Sequence, residues 1–248
     1  MRIATTVSVA ERPDLIPALE AMPDTWPPFT FHDTVGELLF PLLVHEFPDH
    51  QLVALDEEGD VVGRVHSIPF SFSGDLADLP DRGWSGVLQA GFGAAWQDLP
   101  VTAVSLLEAT LVPAVRGAGL SPQLLRAARD RIRAAGVTDL FAPVRPTGKA
   151  DEPGTPMAEY AARVRDDGLP EDPWLRVHVR VGGRVVRVCP ASMTVPGCLE
   201  RWREWTGLPF DVSGPLLVPG ALCPVHVSVE QDQAVYVEPN VWVHHRLD

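Results

Sequence analysis

The chain predicts an α+β fold, and three observations carry that prediction. Short apolar or alternating runs, the signature of strands, interleave with segments whose apolar positions recur at helical spacing. Clusters of Gly, Pro and Asp punctuate the boundaries between them. The order they give is a strand, helices, three strands, a helix and a further strand, followed by more mixed structure.

Ile3 to Val9 reads as the first strand and Asp14 to Met22 as a short amphipathic helix. After the Trp26-Pro27-Pro28-Phe29 stretch, Asp33 to His45 predicts a helix with Val35, Leu38, Leu39, Leu42 and Leu43 on one stripe. Pro41 kinks or splits it. Gln51 to Leu55 and Val61 to Ile68 are strands joined across Asp56 to Asp60, where Gly59 suits a positive φ. Pro69 to Leu99 reads as a long loop with a short helix near Gly86 to Ala90. The apolar run Val101 to Val112 is a strand that ends at Pro113. Ser121 is the expected N-cap and Pro122 the first residue of a helix carrying Leu124, Leu125, Ala128, Ile132 and Ala135. A strand from Val137 to Val144 follows, then a helix over Met157 to Arg165. Trp174 to Val188 reads as a hairpin around Gly182-Gly183, and Pro196 to Trp205 as a helix closed by Gly207. Val225 to Val229 and Ala234 to Val243 are a last pair of strands. No repeat or low-complexity linker divides the chain. The expectation is a single domain over 1–248, with a core over 1–188 and a C-terminal elaboration over 189–248.

Composition narrows the function. The chain has 248 residues, long enough to bury a sizeable core. Its net charge of −13 argues against nucleic acid as a partner, because phosphate binding needs clustered cations. No run approaches membrane-spanning length and no apolar leader follows Met1, so no membrane association and a cytoplasmic location are expected. Arginine outnumbers lysine 19 to one, a coding bias that favours a bacterial source. Cys189, Cys198 and Cys223 are odd in number and lack C-x-x-C spacing, and the histidines show no ligand spacing, so no metal is expected. Gly83-Trp84-Ser85-Gly86 falls one residue short of a hydrolase elbow, and a serine hydrolase is discounted. The seven tryptophans read mostly as core anchors, with a pocket wall as their other role.

Leu111 to Ser121, L-V-P-A-V-R-G-A-G-L-S, says most about chemistry. A strand runs into a glycine turn and then into a helix N-terminus, an arrangement that brings backbone N–H groups to an anion. The dinucleotide fingerprint fails because its third glycine would be Pro122, and the phosphate-loop pattern fails because Ala150 follows Gly148-Lys149. Arg116-Gly117-Ala118-Gly119-Leu120-Ser121 instead resembles motif A of the GNAT superfamily of acyl-CoA N-acyltransferases, R/Q-x-x-G-x-G/A, with Ser121 in place of the final small residue. The segments R-P-T-G-K, D-G-L-P-E-D-P-W-L-R-V-H and E-P-N-V-W-V are similar to those of a bacterial GNAT-like group.

That resemblance implies a three-layer, α/β-type arrangement with a mixed, mostly antiparallel central sheet flanked by helices. It implies acetyl-CoA or another acyl-CoA as cosubstrate. The pyrophosphate would rest on Gly117, Ala118, Gly119, Leu120 and Ser121, with Arg116 as a phosphate contact or as a solvated loop arginine. The backbone of Leu111 and Val112 would hold the pantetheine and thioester. By the same resemblance Glu108 draws a proton from the amine through water, its apolar neighbours raising its pKa, or it is a solvent-facing strand residue. Tyr160 protonates the thiolate, or it is a packing tyrosine whose spacing departs from the family pattern. Within the expected hairpin, Arg176, His178 and Arg180 share one face, which either is solvated or holds an anionic group of the acceptor. The reading is an N-acyltransferase moving an acyl group, acetyl first, to the amine of a small molecule. A catalytically inert acyl-CoA-binding module stays open, as does an O-acyltransferase or thioester decarboxylase on the same fold, and a homodimer is left open.

Overall fold

The structure, a computed structural model, describes residues 3–115 and 117–247. Its centre is a sheet of strands β1 (Thr5–Ser8), β2 (Gln51–Leu55), β3 (Val61–Phe70), β4 (Ala103–Leu111), β5 (Asp139–Val144), β6 (Gly183–Gly197), β7 (Gly214–Leu216), β8 (Val225–Ser228) and β9 (Gln233–Arg246). The order is β1-β2-β3-β4-β5-β9-β8-β7, with β6 also paired to β9. Every pairing is antiparallel except β4 with β5.

Strand alternation sorts the apolar residues onto two faces. Val104, Leu106, Leu140, Ala142, Val241 and Val243 point one way, into a core shared with helix α5 (Ser121–Ala134) and α7 (Pro173–Arg180). Ala103, Leu107, Phe141 and Trp242 point the other way, against α2 (Thr34–Leu39), α3 (Leu43–Glu46) and α4 (Gly83–Trp96). Three layers result. The short helix α1 (Ile16–Glu20) closes the β1–β2 edge through Leu19, while α8 (Leu199–Thr206) packs Trp202 against Tyr236 and Phe210 at the far end.

Most expected elements appear, including the break at Pro41 between α2 and α3 and a positive φ of 87° at Gly59. The helix expected from Pro196 begins instead at Leu199, because β6 runs on through Gly197. Three readings change more deeply. The expected loop over Pro69 to Leu99 contains a 14-residue helix, α4, whose Val87, Leu88 and Phe92 are fully buried. Its four glycines hid it, and one of them has a packing reason: a Cβ on Gly91 would come within 2.4 Å of Ile68. The helix read over Met157 to Arg165 shrinks to α6 (Met157–Ala161).

The third change concerns Trp174 to Val188. Its first half is not a strand but the helix α7. Asp172 caps it, accepting from the N–H groups of Trp174 and Leu175 at 2.9 Å each, and Pro173 occupies the first turn. That start signal overrides the β-branched alternation of Val177, Val179 and Val181. Gly182, at φ 91°, ends the helix and turns the chain into β6. Position 188–189 falls inside β6, and β9, from the last sixteen residues, lies directly beside β5.

Candidate active site

β4 and β5 pair only at Val104↔Leu140 and Ser105↔Phe141. Beyond that the two parallel strands diverge, and Pro143 brings no N–H to the ladder. The opening is a cleft of about 380 Å³ lined by Leu106 to Leu111, Ala142 to Arg145, Gly117, Ser121 and, from α7, Trp174 and His178. A β-bulge interrupts β4 at the bottom of the cleft: Glu108 pairs with His66 and Leu106 with Ser67, leaving Leu107 as the extra residue.

At the cleft's mouth, Gly117 and Gly119 take φ of 80° and 72°, a region that other residues enter only with strain. No described atom lies within 4 Å of a Cβ at either position, so a ligand can approach the backbone directly. The N–H groups of Gly117, Gly119, Leu120, Ser121 and Gln123 have no partner among the described residues. They stand at the start of α5, where the helix dipole adds its positive end. Leu120, not Ser121, occupies the cap position, so Ser121 is the first helical residue and faces the cleft. Arg116 lies outside the described residues.

Of the two backbone positions expected to face the cleft, Val112 does not. Its N–H donates to Val62 O at 3.0 Å. Alternation along an antiparallel pair then directs Thr110 and Val112 toward β3, and Ala109 and Leu111 toward the gap. Ala109 joins the site by that rule.

On the other side of the bulge lies a second cavity of about 440 Å³. Trp26, Leu107 and Glu108 line both spaces, so the two meet at the bulge. Its carboxylates are Glu20, Asp24, Glu37 and Glu108, its aromatic wall includes Trp26, Phe31, Phe40 and Trp84, and its basic side chains are Arg64 and His66. Arg64 is spent: it binds Glu108 Oε1 at 3.0 Å, Asp24 Oδ1 at 2.8 Å and the carbonyl of Leu19. Burial holds His66 at about 4, neutral at physiological pH. Glu20 and Glu37 have no cationic partner among the described residues. The cavity is therefore a net acidic, aromatic-walled space.

No family model matches the chain. It is 34% identical over 273 residues to the arginine N-acetyltransferase avaD of Aspergillus versicolor, with 97% of this chain and 93% of that protein covered. The chain belongs to the GNAT superfamily. It is an acyltransferase of the GNAT N-acetyltransferase type. The loading GNATL domain of CurA from Lyngbya majuscula shares the fold, with a TM-score of 0.61 at 18% identity, covering 98% of this chain and 97% of that one. So does the GphF GNAT-like decarboxylase in complex with isobutyryl-CoA, with a TM-score of 0.58 at 20% identity, covering 98% and 100%.

Against this GNAT frame the predicted side chains separate. Glu108 sits at the junction, but in an ion pair with Arg64 rather than in the apolar surroundings pictured from its neighbours in sequence. Tyr160 is not at the junction. It is buried in the core under α6, and its hydroxyl donates to Asp172 Oδ2 at 3.0 Å, the same oxygen that receives the Gly148 N–H. Burial and that carboxylate raise its pKa, which ties the proton to a structural bond.

The shared face of Arg176, His178 and Arg180 dissolves with the hairpin. On a helix, positions two apart point away from each other. Arg176 turns back to donate to Pro170 O and Glu171 O at 3.0 and 2.7 Å, and Arg180 is exposed. His178 alone reaches the cleft. Its Nδ1 lies 3.0 Å from His245 Nε2, which leaves Nε2 for the cleft side. Burial lowers the pKa of both, His245 to about 3, with Arg129 and His244 adding repulsion.

Sequence reasoning missed Arg64, His66, Glu20, Glu37 and Ala109. Only Ala109 carried a usable signal, the two-residue period of β4.

Proposed function

We propose that this GNAT enzyme transfers an acyl group, acetyl in the simplest case, from acyl-CoA to the amine of a small cationic acceptor of the arginine class. The observation that carries this is the meeting of two chemically opposite spaces at Leu107 and Glu108. One is walled by backbone and opens onto unpaired N–H groups; the other is walled by carboxylates and rings. The name of the avaD relative supports arginine as the first acceptor to try.

Gly117, Gly119, Leu120, Ser121 and Gln123 offer their N–H groups to the pyrophosphate, and the β4 edge at Ala109 and Leu111 aligns the pantetheine in the gap. Glu20, Glu37 and Glu108 attract the acceptor, and rings such as Phe40 and Trp84 favour its cation. The amine attacks the thioester carbonyl at the bulge, a C–N bond forms and the C–S bond breaks. His178 Nε2, facing the cleft, hydrogen-bonds the departing thiolate, which takes its proton from water on the donor side. Transfer is direct. Neither cavity is lined by a cysteine, and burial pushes the thiols of Cys189 and Cys223 up to about 12 and 11.

Thiol release from acetyl-CoA, followed with arginine, agmatine and glutamate as acceptors, tests the reading. Turnover with the two cationic amines and none with glutamate is expected. Equal or better turnover with glutamate overturns the cationic acceptor, and hydrolysis without any N-acyl product overturns the transfer.

A further inference from the structure

Gln51, the first residue of β2, stands opposite His66 of β3 in the sheet. Its amide nitrogen donates to two carbonyls, Phe47 O at 2.8 Å and Ser67 O at 3.0 Å. Both hydrogens of the amide are thereby used, which fixes its orientation and turns Oε1 toward His66 Nδ1 at 2.9 Å. An oxygen there can only accept, so Nδ1 carries the imidazole proton and Nε2 is a bare lone pair. The ring lines the acidic cavity, and Nε2 lies 3.8 Å from Glu108 Oε2 at the junction. Arg64 engages the other oxygen, Oε1, and so leaves Oε2 to face the histidine.

We propose that His66 Nε2 is the group that takes the proton of the attacking amine, a role that rests on the acyl-transfer reading given above. As the C–N bond forms, the nitrogen keeps the electron pair of its N–H bond and the proton passes to Nε2. The electrons of the C–S bond leave with sulfur, which is protonated from the donor side. The charged groups facing the ring are Glu108 from β4, Arg64 from its own strand and Asp24 from the loop after α1. Glu108 stabilises the imidazolium that forms, and the proton then returns to solvent. Glu108 thus acts through His66 as a charge partner, while Gln51 holds the tautomer that makes Nε2 an acceptor.

The test replaces His66 with Gln, near in size and without a comparable base, and uses acetyl-CoA with L-arginine. The expected result is a kcat about 100-fold lower, in the range that loss of a general base gives. The KM for arginine and the dissociation constant for CoA should stay within twofold, with an unchanged near-ultraviolet circular dichroism spectrum. ¹⁵N shifts of the wild-type His66 ring give a readout independent of activity, with Nδ1 protonated and Nε2 bare at pH 7. A proton on Nε2 at pH 7, or a variant kcat within threefold of wild type, overturns the role of His66 alone. A wild-type protein that acylates no amine overturns the acyl-transfer reading, and this inference with it.

Discussion

The two halves of the proposed site, donor cleft and acceptor cavity, are made of different material. The donor cleft is built from backbone: diverging strands, two glycines at positive φ, and the first N–H groups of α5. The acceptor cavity is built from side chains that arrive from α1, α2, β3, β4 and the loop at Asp24. A backbone site demands particular residue types at consecutive positions, and so leaves a motif. A side-chain site demands only that distant residues converge, and any carboxylate will serve. In the proposed function, the difference separates what binds a common cosubstrate from what selects an acceptor.

Acid should strike both halves. His66 on the acceptor side and His178 and His245 on the donor side are buried and neutral, with pKa values below the ordinary ~6.5. The unfolded chain therefore binds more protons than the folded one as pH falls below about 6.5. Stability falls with pH through that window, by roughly 1.4 kcal/mol per unit for each such histidine, down to the lowered folded value. For His66 the window closes near 4. Urea unfolding at pH 7 and pH 5 should show a loss of several kcal/mol, and the His66→Gln variant should lose roughly 2 kcal/mol less than wild type. Equal losses in the two proteins would mean that His66 is not held neutral by the fold.

Gly119→Asp attacks the donor half alone. An aspartate at φ 72° is strained, and its carboxylate competes for the site of the pyrophosphate. CoA affinity by calorimetry should fall about a hundredfold, or ~2.7 kcal/mol, with stability lowered by about 1 kcal/mol for the backbone strain. Unchanged affinity in the folded variant would remove the α5 N-terminus from the donor site.

Glu37→Gln attacks the acceptor half alone. Glu37 is exposed at the rim and has no ion pair among the described residues, so its contribution to holding a cation is modest. The KM for arginine should rise about fivefold, or ~1 kcal/mol, with CoA affinity unchanged. Removing a charge from the donor half should not have this signature, and a rise for both ligands would show that the two spaces are not separate.

Those expectations also mark where sequence reading succeeds. Gly117 and Gly119 were legible because the chain cannot take that turn with other residues at no cost. The strand within Val101 to Val112 was legible because Ala103–Leu111, buried on both faces, is mostly apolar. Glu108 could be placed by its distance from Pro113, but its partner Arg64 lies 44 residues away on β3, and no local pattern joins them. His66 was one histidine among eight until Gln51 faced it across β2 and β3. The surroundings of Tyr160 were hidden for a related reason. Its true neighbour, Asp172, is a helix cap twelve residues on, and the cap was hidden by reading α7 as a strand.

Arg176→Ala carries the smallest expected effect and checks that revised helix. On a strand, Arg176 would share a face with His178 and Arg180 and would hold an anionic group of the acceptor. On α7 its guanidinium instead closes the turn before the helix, donating to Pro170 O and Glu171 O. Those two bonds are half exposed, and their loss should cost no more than about 1 kcal/mol of stability. The KM for arginine should stay within twofold, because nothing in either cavity is changed. His178→Ala should behave oppositely, lowering kcat because its ring faces the donor cleft. A several-fold rise in KM on Arg176→Ala would return the arginine to the acceptor site. It would then require α7 to present a different face to the cleft from the one that buries Leu175 and His178.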